Sequence, residues 1–188
     1  MRRPIQCCWF LFWVAVVLPL ACDKAPTSTP QLSKSDSYAE IPTAPTPAEE
    51  PTAEKPVVAT AELRPVKGRA GDTIDLVVEI RIFAGWHIYA VDTASGGAIP
   101  TSIVEKLPDG IKAAGEWQYP KADSSPMSPG RIYEGRLTFR RPLKITERAP
   151  AGRIDVSCEL TFQACDLFHC LPPQTLSLSA RGEVESAR

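Results

Sequence analysis

From Thr73 to Phe83 the large aliphatic residues fall at alternate positions. Ile74, Leu76, Val78, Ile80 and Ile82 are separated by Asp75, Val77, Glu79 and Arg81. A period of two puts one row of side chains on one side of a strand, so this stretch predicts a strand with a buried face. Ile154, Val156, Cys158, Leu160 and Phe162 alternate in the same way with Arg153, Asp155, Ser157, Glu159 and Thr161. Tyr133, Leu137 and Phe139 alternate with Glu134, Arg136 and Thr138, and Leu176, Leu178 and Ala180 repeat the pattern. Shorter strands are expected at 59–66, 87–91, 102–106 and 111–118. Turns are expected at Lys67-Gly68, Ala70-Gly71-Asp72, Asp109-Gly110 and Ala151-Gly152. No long helical period competes. Seven or eight strands in about 130 residues predict an all-β, antiparallel sandwich over 57–188.

Different patterns precede that domain. Arg2 and Arg3 lead into an uncharged apolar run, Trp9 to Ala21, of 13 residues. As a helix this run spans about 20 Å, short of a hydrocarbon core of about 30 Å, and it reads as the core of an export signal. The segment closes on Leu18-Pro19-Leu20-Ala21-Cys22, which resembles a bacterial lipobox with Pro19 as its departure. Residues 1–22 are therefore expected to be a lipoprotein-type signal, with Cys22 the lipidated residue and the protein held at a membrane by acyl chains. Residues 23–56 carry seven prolines among Thr, Ser, Ala and Glu, with few large apolar residues. Such a stretch buries too little surface to offset its ordering entropy and reads as an extended tether.

The charge balance excludes some partners. The chain has 21 Lys and Arg against 22 Asp and Glu, a net charge of −1, and no basic stripe. Nucleic acid is not an expected partner. Within 57–188 there are 16 charges of each sign, so long-range steering is weak. With two histidines and no nucleophile elbow there is no hydrolytic triad to assemble.

The cysteines carry the chemistry. Cys158 shares a strand face with Val156 and Leu160, which places it in the core as a buried thiol. Cys165 has the opposite parity and lies about 23 Å further on if the strand continues, too far for a bridge to Cys158. Cys165 and Cys170 enclose Asp166-Leu167-Phe168-His169 and can close a small ring, which in an exported protein is expected to be a disulfide. A six-residue loop yields only about 2 kcal/mol from chain entropy. Spacing alone leaves a structural staple and a redox pair equally open. Asp166 disfavours a thiolate at Cys165, whereas His169, when protonated, favours one at Cys170. Cys165, His169 and Cys170, with Met127 or His87, also form a soft donor set of the kind that holds Cu(I). One Cys-x4-Cys with a single His is thin evidence beside four-ligand sites, and no metal or cofactor is expected.

Phe162-Gln163-Ala164-Cys165 followed by Cys170-Leu171-Pro172-Pro173 resembles the active-site strand and loop of the N-terminal periplasmic domain of the thiol:disulfide interchange protein DsbD. Gly85-Trp86-His87-Ile88-Tyr89 and Tyr133-Glu134-Gly135-Arg136-Leu137-Thr138 resemble two further strands of that family. The resemblance covers about 60–182 and implies an immunoglobulin-like sandwich. It implies that Cys165 and Cys170 are a redox pair, with Cys170 forming the mixed disulfide and Cys165 resolving it. His87 and Tyr89 would flank the pair. A cap loop would correspond to 122–130, where Met127 is the apolar residue placed to act as lid. Ser124 to Pro129 lacks the family's acidic-aromatic cap sequence, and the spacing between the cysteines is one residue shorter than in the enterobacterial form. The implied setting is the bacterial periplasm, among proteins that serve tasks such as cytochrome c maturation. The implied partners are thioredoxin-like oxidoreductases and a membrane electron-transfer protein. A binding module with a structural disulfide is the alternative from a different class.

Overall fold

The computed structural model describes residues 49–93, 97–124 and 130–186. Among them there are 12 strands, and no helix long and apolar enough to cross a membrane. One antiparallel sheet is ordered β1 (Val57–Arg64), β3 (Thr73–Ile82), β9 (Arg136–Ile145), β6 (Ile111–Ala113). A second is ordered β2 (Lys67–Arg69), β12 (Gln174–Glu185), β10 (Gly152–Phe162), β5 (Ser102–Lys106). Their facing sides form one core in which Leu76, Val78, Ile80, Phe139 and Leu143 of the first sheet meet Ile154, Val156, Cys158, Leu160 and Phe162 of the second. The long strands carry the expected alternation, except that Val77 of β3, between Leu76 and Val78, is also fully buried. In β10 the burial runs out, in, out, in from Arg153 to Leu160, which seats Cys158 in the core. The domain is thus an immunoglobulin-like β-sandwich.

A third, smaller sheet carries His87, Tyr89 and Cys165. Its order is β11 (Ala164–Cys165), β4 (His87–Tyr89), β8 (Arg131–Tyr133), β7 (Asp123–Ser124). Its two sides have different neighbours. Ile88, Tyr133 and Ala164 face the sandwich core, while Tyr89, Ile132 and Cys165 join Ala98 in a separate buried cluster. The period of two along each short strand produces this division.

Several expectations change in the structure. Twelve strands stand among the described residues where seven or eight are expected, and Gly152 opens β10 opposite Val184 instead of completing a turn with Ala151. Lys67-Gly68 is part of β2, paired in parallel with β12 (Lys67 opposite Glu183, Gly68 opposite Val184), and is not a turn. A Cβ on Gly68 would lie 2.7 Å from Ile145 Cδ1 and 3.3 Å from Ile74 Cγ2, so a larger residue there would make those two buried side chains shift. The run from Tyr133 to Phe139 is divided at Glu134-Gly135, where Gly135 takes φ 68°. This left-handed residue takes the chain from the small sheet into the sandwich, at little steric cost only because it lacks a Cβ. The strand expected at 111–118 stops at Ala113, and Gln118 returns only as an isolated bridge to Arg140. Pro142 explains the gap. Its carbonyl accepts from Ala114 N at 2.8 Å, but it has no N–H with which to continue the ladder.

One open edge of the sandwich is closed by a polar cluster. Glu105 of β5 accepts from Arg141 Nε of β9 and from Trp117 Nε1, each at 3.0 Å. Both charged side chains are mostly covered, so the pair ties the two sheets together and satisfies the indole N–H.

Candidate functional site

β10 ends at Phe162, and the chain steps aside at Gln163 before re-forming as β11. The step lets Cys165 leave the sandwich sheet and pair with His87 of β4, while Ala164 pairs with Ile88. A tight hairpin follows. Cys165 and Cys170 face each other as an isolated antiparallel bridge and are joined by a disulfide, with Cα atoms 4.0 Å apart. Leu171 N donates to Ala164 O at 2.8 Å below the bridge, and Asp166 N donates to His169 O at 3.0 Å above it.

Asp166 organises the turn. Its Oδ1 accepts from the backbone N–H groups of Phe168 at 2.7 Å and His169 at 2.8 Å. The same oxygen lies 3.1 Å from His169 Nδ1. Those two backbone donors, with the nearby imidazole, hold the Asp166 carboxyl below its ordinary range. The carboxylate is thus committed to the turn. Trp86 meets the His169 ring edge-on at 5.5 Å between centroids.

The two sulfurs occupy different environments. Cys165 is 1% exposed, within the small cluster with Tyr89, Ala98 and Ile132. Cys170 is exposed. The Tyr89 hydroxyl lies 3.8 Å from Cys165 Sγ, where its O–H can donate to the sulfur. His87 packs edge-on against the Tyr89 ring at 5.7 Å between centroids. Half-burial lowers the pKa of His87, against weaker opposing effects of Glu134 and Asp166, and favours a neutral imidazole beside the bridge.

The structure therefore gathers His87, Tyr89, Cys165, Asp166, His169 and Cys170 in one place. Met127 and Cys22 lie outside the described residues, as does most of the expected cap at 122–130. Trp86 and Gln163 gain roles that parity does not reveal. Gln163 Nε2 donates to Leu171 O at 3.2 Å, and its Oε1 accepts from Ile99 N at 3.3 Å, which joins the hairpin to the segment carrying Ala98. Thr101 secures that segment by donating from N and Oγ1 to Tyr89 O. Ala98 had no local sequence signal, being a small residue far along the chain from Cys165. Among the described residues no group of three or more His, Cys, Asp and Glu side chains is arranged to hold a metal ion.

Cys158, the one free cysteine among the described residues, is in the main core, apart from this site. Burial pushes its thiol up from 9.0 to about 11. The unfolded chain therefore releases this proton at lower pH than the folded one. Stability from this group is whole below pH 9 and is lost as pH rises toward about 11. The thermal midpoint is expected to fall more steeply across that window than in a Cys158→Val variant, as followed by circular dichroism. Equal slopes would assign the alkaline loss to other groups.

The sandwich, with a hairpin disulfide buried on one side and open on the other, defines a β-sandwich thiol–disulfide domain. The family model described as thiol:disulfide interchange protein DsbD, N-terminal, matches residues 54–181, well over half the chain. The chain belongs to that family. Among solved structures, it is similar to the N-terminal periplasmic domain of ScsB from Proteus mirabilis, at 18% identity and TM-score 0.44, over 65% of this chain and 44% of that one. It is also similar to the reduced N-terminal domain of DsbD from Neisseria meningitidis, at 20% identity and TM-score 0.43, over 70% of this chain and 90% of that one. A search of the curated proteins finds no match.

Proposed function

We propose that this protein is a periplasmic thiol–disulfide exchange carrier that passes reducing equivalents through Cys165 and Cys170. The observation that carries the reading is the asymmetry of the bridge, with Cys170 open to a partner and Cys165 enclosed beside the Tyr89 hydroxyl. Family membership supports the same chemistry.

A donor thiolate attacks Cys170 Sγ and forms an intermolecular disulfide. The Cys165–Cys170 bond breaks, and Cys165 leaves as a thiolate to which the Tyr89 hydroxyl, 3.8 Å away in the disulfide form, can donate. The donor's second thiolate then attacks its own sulfur in the mixed disulfide and releases Cys170. The donor has lost two electrons and two protons, and both cysteines here end as thiols. Running the steps in reverse on an oxidised acceptor returns the pair to a disulfide. Among the described residues no helix N-terminus stands by either sulfur, so reactivity depends on access.

In this reading the donor is a thioredoxin-like oxidoreductase or a membrane electron-transfer protein, and acceptors are extracytoplasmic proteins. Residues 1–22 serve as signal, Cys22 as lipid anchor and 23–56 as the tether from which the 57–188 domain reaches its partners. The test is the reduction potential of the bridge, set by dithiol buffers and scored by alkylation and mass spectrometry. A value between about −180 and −270 mV is expected for a carrier. A bridge resisting reduction below about −300 mV would make it a structural staple and overturn the reading.

A further inference from the structure

The tip of the disulfide hairpin departs from ordinary turn chemistry. Its two outermost residues are Leu167 and Phe168, which are 69% and 91% exposed. Turn corners are normally Gly, Asn, Asp, Ser or Pro, residues that lose nothing by facing water. Here Asp166 alone performs the turn-forming task through the N–H groups of Phe168 and His169. Leu167 and Phe168 are therefore not needed to form the turn, and folding leaves both in water.

We propose that Leu167 and Phe168 form an apolar docking tip for the domain that exchanges disulfides with Cys170, a thioredoxin-like partner with an apolar surface beside its exposed cysteine. This inference rests on the exchange function proposed above. Three observations select that occupant. In-line attack on Cys170 Sγ brings the partner's sulfur to the hairpin, two residues from Phe168, so a partner in position to react lies over the tip. The hairpin is fixed by the disulfide, by the Asp166 N to His169 O bond and by the Asp166 carboxylate, so docking orders little that is mobile. The folded region has 16 charges of each sign, so net charge gives a partner no long-range pull, and the two exposed apolar side chains are the contact that the tip itself offers. A rigid exposed aromatic beside a reactive atom has the character of an interface anchor.

The test compares two reductants on the purified full chain. The second-order rate constant for reduction of the bridge is measured with reduced thioredoxin and with dithiothreitol, in the unaltered protein and in L167S/F168S. The double variant is expected to lose at least about 10-fold with thioredoxin while staying within about twofold with dithiothreitol. Phe168→Leu, which keeps an apolar tip, should recover most of the thioredoxin rate. An unchanged thioredoxin rate in L167S/F168S overturns the proposal. So does an equal fall with both reductants, because the tip would then be shaping the bridge and not meeting a partner. Reduction of the unaltered protein by dithiothreitol but not thioredoxin overturns docking and leaves the redox pair standing. Reduction by neither, with the bridge opening only after denaturation, takes down the exchange function as well.

Discussion

Replacing Cys170 with Ser is expected to silence exchange, whereas replacing Cys165 with Ser should leave a protein that reacts but cannot finish. The reason is the unequal exposure of the two cysteines. Cys170 is on the open strand of the hairpin, and Cys165 is 1% exposed within the cluster of Tyr89, Ala98 and Ile132. Challenged with glutathione disulfide, reduced C165S should accumulate a stable adduct at Cys170, since no neighbouring thiol remains to displace it. Reduced C170S must expose Cys165 first. A local opening of about 3 kcal/mol would slow its adduct formation by about 100-fold. Mass spectrometry over time reads both. Equal rates in the two variants would mean that Cys170 is not the entry point.

The second large effect concerns stability. Phe139 is 0% exposed in the sandwich core and meets Tyr133 edge-on at 5.6 Å and Tyr119 edge-on at 5.9 Å between ring centroids. Tyr133 belongs to β8, so this aromatic contact couples the small sheet to the sandwich. Phe139→Ala should cost about 3–5 kcal/mol through lost transfer energy and the cavity left behind. That is a large part of the 5–15 kcal/mol typical of a whole domain. A shift in the urea midpoint at constant slope would measure it. Opening the Cys165–Cys170 bridge should cost far less, about 2 kcal/mol for a six-residue loop. If reduction destabilises the protein more than Phe139→Ala does, the bridge is a staple and the carrier function fails.

Much of the fold is legible in the chain because strands alternate with a period of two. Ser102–Lys106 forms where expected, Gly152–Phe162 carries the expected faces, Thr73–Ile82 does so apart from the buried Val77, and the separation of Cys158 from Cys165 follows from parity. The misread positions share one cause. Gly68, Gly135 and Pro142 act through what lies across from them, namely Ile145, the passage between two sheets and a missing ladder donor. A glycine or proline does not announce which of its uses applies.

The site divides in the same way. Cys165, Cys170, Asp166 and His169 are neighbours in the chain, so their proximity and the bridge between the cysteines are matters of sequence. Tyr89 and His87 are named by a motif about 76 residues away, and Ala98 by nothing local. Local periodicity says which face a side chain takes but not what will stand opposite it. That is settled when distant strands pair, and the step at Gln163 that turns β11 toward β4 is what buries one sulfur and leaves the other open. The sequence alone determined a β-sandwich with a hairpin dithiol. The tertiary structure decided the inequality of the two sulfurs, because burial depends on packing between segments far apart in the chain.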